Sequence, residues 1–299
     1  ENMTVPYQRA YRYSKTRKYG IDNWLLSRKY DGIRCYYDRS QDLMLFRSGR
    51  IIVRMPHIQD YLKKACDNYN LSAIDGELYV PGLKYREIAS LVNGQTKITD
   101  EQKQSIKLSV FALRKDGTEL TTQEMIQEMK SLPTSQHIII VDNEVIANNS
   151  DAIFARAKEL QRQGWEGVVL RHPTISYEEG SSHKLLKVVV YHEDVYKIVG
   201  FTEGTRSYSG SLGGLLIEGT GLNDEFVPIP IRSRVSSGLR RAERQKIWEN
   251  KQDYFGVAVN VHYQKAQDAR LDEDGFGSLR FPKYKGIVQV CTLTKFDDI

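Results

Sequence analysis

Apolar residues occur along the first two thirds of the chain mostly as short runs, and these runs predict strands. Two of them are separated only by polar turn residues, which is typical of a β-hairpin. Two others are continuously apolar, which predicts strands buried on both faces. The runs are, in chain order, 32–37 and 43–46 (the hairpin), 73–80, 108–113, and 167–171 and 185–190 (the buried pair).

Between these runs the apolar positions follow a helical period. Residues 55–66 predict a helix that opens with Pro56, and residues 121–131 predict a second helix. Residues 150–163 predict a third, which starts at a polar cap and ends before Gly164. Strands mixed with helices in this way predict an α+β fold.

The pattern changes near Gly200, where glycines become frequent around short β runs. Only one helix is predicted there, over 237–250, followed by a strand over 256–263, while 220–238 is predicted as a long loop. Strands interrupted by a single helix indicate a small β-barrel, of which the OB-fold is one type. We therefore expect two domains, residues 1–199 and 200–299.

The composition fits a folded protein with a sizeable core, since 40% of the 299 residues are hydrophobic and 27% are charged. No run approaches the roughly 20 apolar residues of a membrane helix. The first residues lack a basic region followed by an apolar run, so no signal peptide is expected. We expect a cytoplasmic protein, with the periplasm as the alternative if a leader precedes residue 1.

The net charge and the cysteine content exclude few classes of function. The 43 Lys and Arg against 38 Asp and Glu give a net charge of +5, which permits a polyanionic partner without identifying one. Cys35, Cys66 and Cys291 are scattered, with no paired spacing. Neither a zinc site nor a disulfide framework is therefore expected.

One segment could carry covalent chemistry. Lys29 is followed by an Asp-Gly pair and then by Arg34, so a nucleophilic amine would lie beside a cation able to bind phosphate. Alone, the pattern is weak, and a turn with a solvated lysine explains it equally well.

The segment is followed, in family order, by others that resemble the motifs of the covalent nucleotidyltransferases: ATP-dependent DNA ligases, RNA ligases and mRNA capping enzymes. The resemblance extends from about residue 24 to residue 287. The matching segments are Lys29-x-Asp31-Gly32-x-Arg34, Arg47-Ser48-Gly49, Asp75-Gly76-Glu77, Val110-Phe111, Glu166-Gly167-Val168-Val169-Leu170-Arg171, Leu185-Leu186-Lys187 and Arg280-Phe281-Pro282.

The resemblance implies an adenylation domain with antiparallel sheets and flanking helices, followed by an OB-fold barrel. It implies that catalytic Lys29 forms a lysyl-AMP from ATP. A free lysine has a pKa near ~10.4, so nearby cations or Mg²⁺ would have to favour its neutral form. The implied nucleotide-binding residues are Arg34, Arg47, Glu77, Phe111 and Lys187, and the implied ligands of Mg²⁺, or of Mn²⁺ in its place, are Glu77 and Glu166.

Three positions depart from the family pattern. Val189 stands where a second lysine often follows Lys187 in the fifth motif, and Lys184 is a candidate replacement. Ala112 stands where Asp often follows Phe111. Val288 stands where small ligases often have an arginine, so contacts to pyrophosphate or DNA are expected from Arg280, Lys283 and Lys285.

A basic helix adds further candidates, namely Arg240, Arg241 and Arg244, which either contact phosphates or form a solvated face.

The leading hypothesis is a minimal, monomeric ATP-dependent DNA ligase that seals 5′-phosphate/3′-hydroxyl nicks in duplex DNA through lysyl-AMP and DNA-adenylate. An RNA ligase and an mRNA guanylyltransferase are alternatives within the superfamily. A non-catalytic nucleic-acid-binding module is a remote alternative.

Overall fold

The computed structural model describes residues 4–83, 85–93, 97–223, 225–267 and 272–288. The chain divides into two compact units, residues 1–189 and 190–299. This division falls before the predicted boundary at 199/200, because one strand, His192–Glu203, continues across that position.

The first sheet of the N-terminal unit has the strand order β1-β10-β9-β2-β8. Neighbouring strands are antiparallel except β1 and β10, which are parallel. The strands of this sheet are β1 (Gln8–Arg12), β2 (Asn23–Lys29), β8 (Glu144–Ala147), β9 (Gly167–Arg171) and β10 (Gly180–Val188).

The second sheet has the order β4-β3-β5-β6-β7, with only β6 and β7 parallel. Its pairing slips between β5 and β6, where Asp75 opposes Ala112 but Gly76 opposes Val110, so that Phe111 is an extra residue in β6. The strands are β3 (Ile33–Asp38), β4 (Leu43–Leu45), β5 (Leu71–Tyr79), β6 (Lys107–Lys115) and β7 (Ile138–Ile140).

Helices pack on both sheets. Buried Leu62 and Met129, on α1 and α4, join Ile74 of the second sheet in one core cluster, while α5 packs against β9. The fourth helix starts with a reciprocal capping box between Thr121 and Glu124. The helices of this unit are α1 (Pro56–Tyr69), α2 (Tyr85–Val92), α3 (Asp100–Ser105), α4 (Thr122–Lys130) and α5 (Ser150–Arg162).

The C-terminal unit contains an antiparallel sheet of order β13-β12-β11-β14-β17. Two further strands form a hairpin-like pair, and two helices lie between β13 and β14. The elements are β11 (His192–Glu203), a 3₁₀ turn (Arg206–Tyr208), β12 (Leu212–Leu222), β13 (Pro228–Val235), α6 (Arg241–Glu249), α7 (Lys251–Tyr254), β14 (Ala258–Tyr263), β15 (Lys265–Gln267), β16 (Ser278–Arg280) and β17 (Lys283–Ile287).

Most predicted elements are confirmed, with shifted ends. The strand 167–171 has the predicted bounds, and the predicted helix 150–163 ends at Arg162 with Asn149 as its cap. Helices α2 and α3 were not predicted, because their apolar period is short or absent. No helix in the described part of the chain is long and apolar enough to cross a membrane.

Two predictions for the C-terminal unit are wrong. The predicted loop 220–238 contains β13, whose prolines at 228 and 230 mask a strand pattern; prolines are tolerated because β13 is at the edge of its sheet. The predicted helix 237–250 begins only at Arg241, because Gly238 has a positive φ of 91° and cannot continue a helix.

Candidate active site

Lys29 and Glu166, which are 137 positions apart, meet where β2 lies beside β9. Lys29 opposes Gly167, and the Glu166 N–H donates to the Lys29 carbonyl at 3.1 Å. The Lys29 ammonium donates to the Glu166 carboxylate. Because the two residues are connected by a main-chain hydrogen bond and by a side-chain hydrogen bond, the position of the Lys29 amine is fixed.

Two glycines allow this close approach. A Cβ on Gly167 would lie 2.3 Å from the Val188 carbonyl oxygen, and one on Gly32 would lie 2.1 Å from the Leu78 carbonyl oxygen. Both contacts are to main-chain atoms, which cannot move aside as a flexible side chain would. The glycines therefore permit β10 and β5 to approach the segments that carry Glu166 and Lys29.

Glu77 supplies a second carboxyl group. It lies on β5 opposite Arg34 of β3. Burial raises the pKa of Glu77 to about 7, against the opposing influence of the Lys29 and Arg34 charges. The carboxyl group of Glu77 is therefore partly protonated at neutral pH when no ligand is bound.

A hollow of about 440 Å³ adjoins these groups, between the two sheets of the N-terminal unit. Its lining carries six cationic side chains and one carboxyl group, so it is suited to a multiply charged anion. The cations are Arg9, Lys29, Arg34, Arg47, Arg50 and Lys187, and the carboxyl group is that of Glu77.

A smaller, more apolar pocket of about 120 Å³ shares Lys29, Arg34 and Glu77 with this hollow. Phe111 lines it, together with Val169 and other apolar side chains. The extra residue in β6 lets Phe111 contact the pocket while Val110 stays in the core. A flat aromatic ring in an apolar slot suits a planar ligand such as a nucleobase.

Arg34, which lines both cavities, is also held by partners inside the protein. Its Nε and Nη2 donate to both oxygens of Asp75, at 2.6 and 2.5 Å, and Nη2 also donates to the Gln8 carbonyl at 2.8 Å. Asp75, only 1% exposed, also accepts from the Tyr177 hydroxyl at 2.6 Å. Burial opposes the charge of Arg34, but Asp75 raises its pKa overall.

The other two predicted nucleotide-binding cations, Arg47 and Lys187, line the hollow as Arg34 does. Arg47 is exposed, and its Nε donates to the Tyr7 hydroxyl at 3.0 Å. The pKa of Lys187 is lowered by burial and then by the nearby charges of Lys29 and Arg47. These cations are therefore placed beside the candidate nucleophile.

The departures from the family pattern have distinct surroundings. Val189 packs beside Gly167, where the Val189 Cγ2 atom would lie 3.2 Å from an added Cβ. Lys184 does not line either cavity; its Nζ lies 2.7 Å from Glu178. Ala112 is fully buried opposite Asp75.

In the C-terminal unit, the structure contradicts the expectation that Arg244 contacts a ligand. Arg244 is 5% exposed and donates to four main-chain carbonyls, those of Leu239, Leu212, Gly213 and Ser236. Its position on the predicted polar face of α6 hid this role, because two of the four carbonyls, those of Leu212 and Gly213, lie on β12, 32 and 31 positions away.

The other predicted cations of this unit remain at its surface or beside an aromatic ring. Arg240 is exposed and pairs with Glu243 at 3.2 Å, and Arg241 is exposed. Lys283 and Lys285 are exposed on either side of buried Tyr284. The Arg280 guanidinium lies 5.0 Å from the centroid of the Phe281 ring.

Several lining residues were missed at the sequence level. Arg9 and Arg50 line the hollow, and buried Arg171 lines the small pocket. Burial lowers the pKa of Arg171 to about 10. Arg171 ends a quoted motif segment and could have been found there, whereas Arg9 depends on the parallel pairing of β1 with β10, which has no local signal.

The donor set for a metal is limited. No group of three or more His, Cys, Asp or Glu side chains able to hold a metal occurs in the ranges that the structure describes. Cys35 and Cys66 are buried free thiols, and Cys291 lies outside those ranges. Two carboxyl groups, Glu77 and Glu166, nevertheless fit Mg²⁺, which usually binds one or two carboxylates and completes its shell with water and phosphate oxygens.

Two comparisons with known sequences both match DNA ligases. A family model described as "ATP dependent DNA ligase domain" matches residues 8–188. A DNA ligase of Haemophilus influenzae is 23% identical over 232 residues, which is 74% of this chain and 81% of that protein.

Two solved structures are similar in fold. "Pmar-Lig_PreS3" has a TM-score of 0.73 at 21% identity and covers 94% of this chain and 67% of its own. A structure from a study of Lig E DNA ligases has a TM-score of 0.70 at 20% identity and covers 96% of this chain and all (100%) of its own. The N-terminal unit thus has the mixed α+β fold, with mainly antiparallel sheets, of ligase adenylation domains.

We expect Asp75→Ala to lower the free energy of unfolding by about 3–5 kcal/mol, because it leaves the Arg34 charge buried without a partner. Asp67→Ala is the matched control: it removes the same group from an exposed pair with Arg39 and should cost about 1 kcal/mol or less. Urea unfolding measures both. Equal losses in the two variants would contradict the structural role of the Arg34–Asp75 pair.

We also expect a pH dependence from Glu77. Its pKa is raised by folding, so the folded state holds a proton that the unfolded chain releases, and stability falls as pH rises from about 4.5 to about 7. The loss should be about 1–2 kcal/mol, less than the full shift implies because the residue is only partly buried.

Glu77→Gln should remove this part of the pH dependence, measured as unfolding midpoints between pH 4.5 and 7.5 without nucleotide. Glu119→Gln, at an exposed position, should leave it as in the unsubstituted protein. An unchanged pH profile in Glu77→Gln would show that the group titrates alike in both states.

Proposed function

The chain belongs to the ATP-dependent DNA ligase domain family, and we propose that Lys29 is the nucleophile of its reaction. It is an enzyme that uses ATP and acts on DNA. The observation that carries the proposal is the juxtaposition of the Lys29 amine, the Glu166 carboxylate and the cationic hollow. The RNA ligase and guanylyltransferase alternatives are not favoured, because the family model and the curated relative are both DNA ligases.

In the proposed first step, Lys29 Nζ attacks the α-phosphorus of ATP. An N–P bond forms, the bond from the α-phosphorus to the bridging oxygen breaks, and pyrophosphate leaves. Glu166 accepts a hydrogen bond from Nζ and is therefore the group placed to receive its proton. Attack needs the lone pair of the neutral amine.

The two cavities suggest how the nucleotide is held. The base would lie in the small pocket against Phe111, and the phosphates would lie in the hollow among Arg47 and Lys187. Arg34 then acts as a positioning residue, because Asp75 holds its guanidinium 4.7 Å from the Phe111 centroid. Fixed cations around a transferring phosphoryl group stabilise the transition state without rearranging.

Glu77 and Glu166 would hold Mg²⁺, or Mn²⁺ in its place. A divalent cation there would neutralise phosphate charge during the transfer. Binding it would also favour the ionised form of Glu77, so we expect metal binding to release protons near pH 7.

We propose that the described residues of the C-terminal unit form an OB-fold barrel and that the substrate is a 5′-phosphate/3′-hydroxyl nick in duplex DNA. Along the chain, the helix α6 lies between β13 and β14. The strands β13 and β17 are the two edges of the sheet. An isolated parallel bridge between Ser237, just after β13, and Lys283 of β17 joins these edges, as closure of a barrel requires. We further propose a monomer acting in the cytoplasm, with DNA contacts from Arg240, Arg241, Lys283, Lys285 and Arg280.

The first test is covalent adduct formation. With ATP and Mg²⁺, the wild-type chain should gain one AMP group, detected by intact mass and by transfer of radiolabel from [α-³²P]ATP. Lys29→Ala should fall to background, a loss of at least about 1,000-fold, because the attacking atom is absent.

Lys115→Ala is the matched control. Lys115 also stands before an Asp-Gly pair, without the intervening residue that follows Lys29. It pairs with Glu128 and lines neither of the two cavities that share Lys29. This variant should form the adduct like the wild type. A wild type that acquires no AMP, or a Lys29→Ala variant that still acquires it, would contradict the proposal.

A further inference from the structure

Residues 9–18, which we call the basic arm, carry a concentration of positive charge, and apart from Arg9 the proposed reaction does not use it. Between residues 4 and 21 there is no Asp or Glu. All five cations have exposed side chains. They are Arg9, Arg12, Lys15, Arg17 and Lys18.

The arm begins at the candidate active site. Arg9 lines the cationic hollow, and Arg12 is the register partner of Lys187 on the parallel strand β10. Residues paired in this way project from the same side of the sheet. The positive charge of the hollow therefore continues along β1 into the segment that follows it.

The segment after β1 is held in shape by aromatic contacts. The Ser14 N–H donates to the Tyr19 hydroxyl at 2.9 Å, which closes the turn, and the Tyr13 and Tyr19 rings stack with centroids 5.3 Å apart. Lys15 lies 4.4 Å above the ring of Phe154. Cations presented on an ordered turn lose less conformational entropy on binding than cations on a free tail.

The charge at the tip of the turn is not neutralised within the protein. In the described ranges, neither Arg17 nor Lys18 has an ion pair or a side-chain hydrogen bond, whereas surface cations such as Arg39 and Arg156 pair with carboxylates. Two adjacent uncompensated cations, followed by Tyr19, match successive phosphates of a nucleic-acid chain.

We propose that the basic arm binds the phosphate backbone of duplex DNA beside the reactive hollow. This inference rests on the proposed function, since it takes the hollow as the place of chemistry. The contacts would be independent of base sequence, because they are made to phosphates. The arm would thus hold the duplex close to Lys29 while the C-terminal unit makes contacts of its own.

The test is binding of a 5′-phosphorylated nicked duplex, by fluorescence anisotropy without ATP, across 50–200 mM KCl. Arg17→Gln/Lys18→Gln should raise Kd about tenfold at 100 mM KCl. It should also make the slope of log affinity against log salt less negative by about 1.8, since two phosphate contacts are lost.

Lys64→Gln/Lys130→Gln is the matched control, because it removes the same net charge from exposed positions on α1 and α4. It should change Kd less than about twofold and leave the slope as in the wild type. Equal effects of the two double variants would overturn the proposal, because the arm would then contribute only through net charge.

Adduct formation with ATP separates this proposal from the proposed function. Both double variants should form lysyl-AMP as well as the wild type does, because neither changes the cavities. A wild type that forms no adduct would refute the proposal that Lys29 is the nucleophile. The salt dependence of DNA binding would still test the basic arm in that case. Loss of the adduct in Arg17→Gln/Lys18→Gln alone would overturn the assignment of the arm to DNA.

Discussion

The site depends on one main-chain contact, the hydrogen bond from the Glu166 N–H to the Lys29 carbonyl at the end of the β2–β9 pairing. Strand pairing has a two-residue side-chain period, so a slip by one residue would turn Lys29 away from Glu166. Gly167 makes the contact possible, because β10 passes too close for any side chain. The chemistry of an amine and a carboxylate is thus fixed by backbone geometry before either side chain forms a bond.

Local signals in the sequence predicted much of this arrangement. The hairpin of β3 and β4, the strand β9 and the helix α5 follow from hydrophobic period and end signals. Lys29, Glu77 and Phe111, taken from ordered motifs, do line the same pocket. What those signals could not provide was the pairing of distant strands. For that reason the parallel β1–β10 pair and the contribution of Arg9 were not predicted. The strand β13 was missed for another reason, the prolines that mask its pattern.

Arginines show why residue type alone does not give a role. Arg34 and Arg244 both stand in cationic segments, and both donate mainly to acceptors inside the protein. Arg47 stands in a similar segment but is exposed at the hollow. The difference depends on how many acceptors other parts of the chain bring within reach: Arg47 has the Tyr7 hydroxyl, whereas Arg34 has both oxygens of Asp75 and the Gln8 carbonyl. A guanidinium, with five donors in a rigid plane, satisfies several such acceptors at once and is therefore suited to either role.

The slip between β5 and β6 has a consequence for tolerance to changes in chain length. Leu108 and Val110 face the core before the slip, and Leu113 faces it afterwards, so the faces alternate out of step across Phe111. Deleting Ala112 would restore regular alternation without moving these residues to the opposite face. An added residue at the same place would also leave an even spacing between Val110 and Leu113, but it would put three residues opposite Asp75 where the bulge now has two. This strand can therefore lose a residue in evolution more readily than it can gain one.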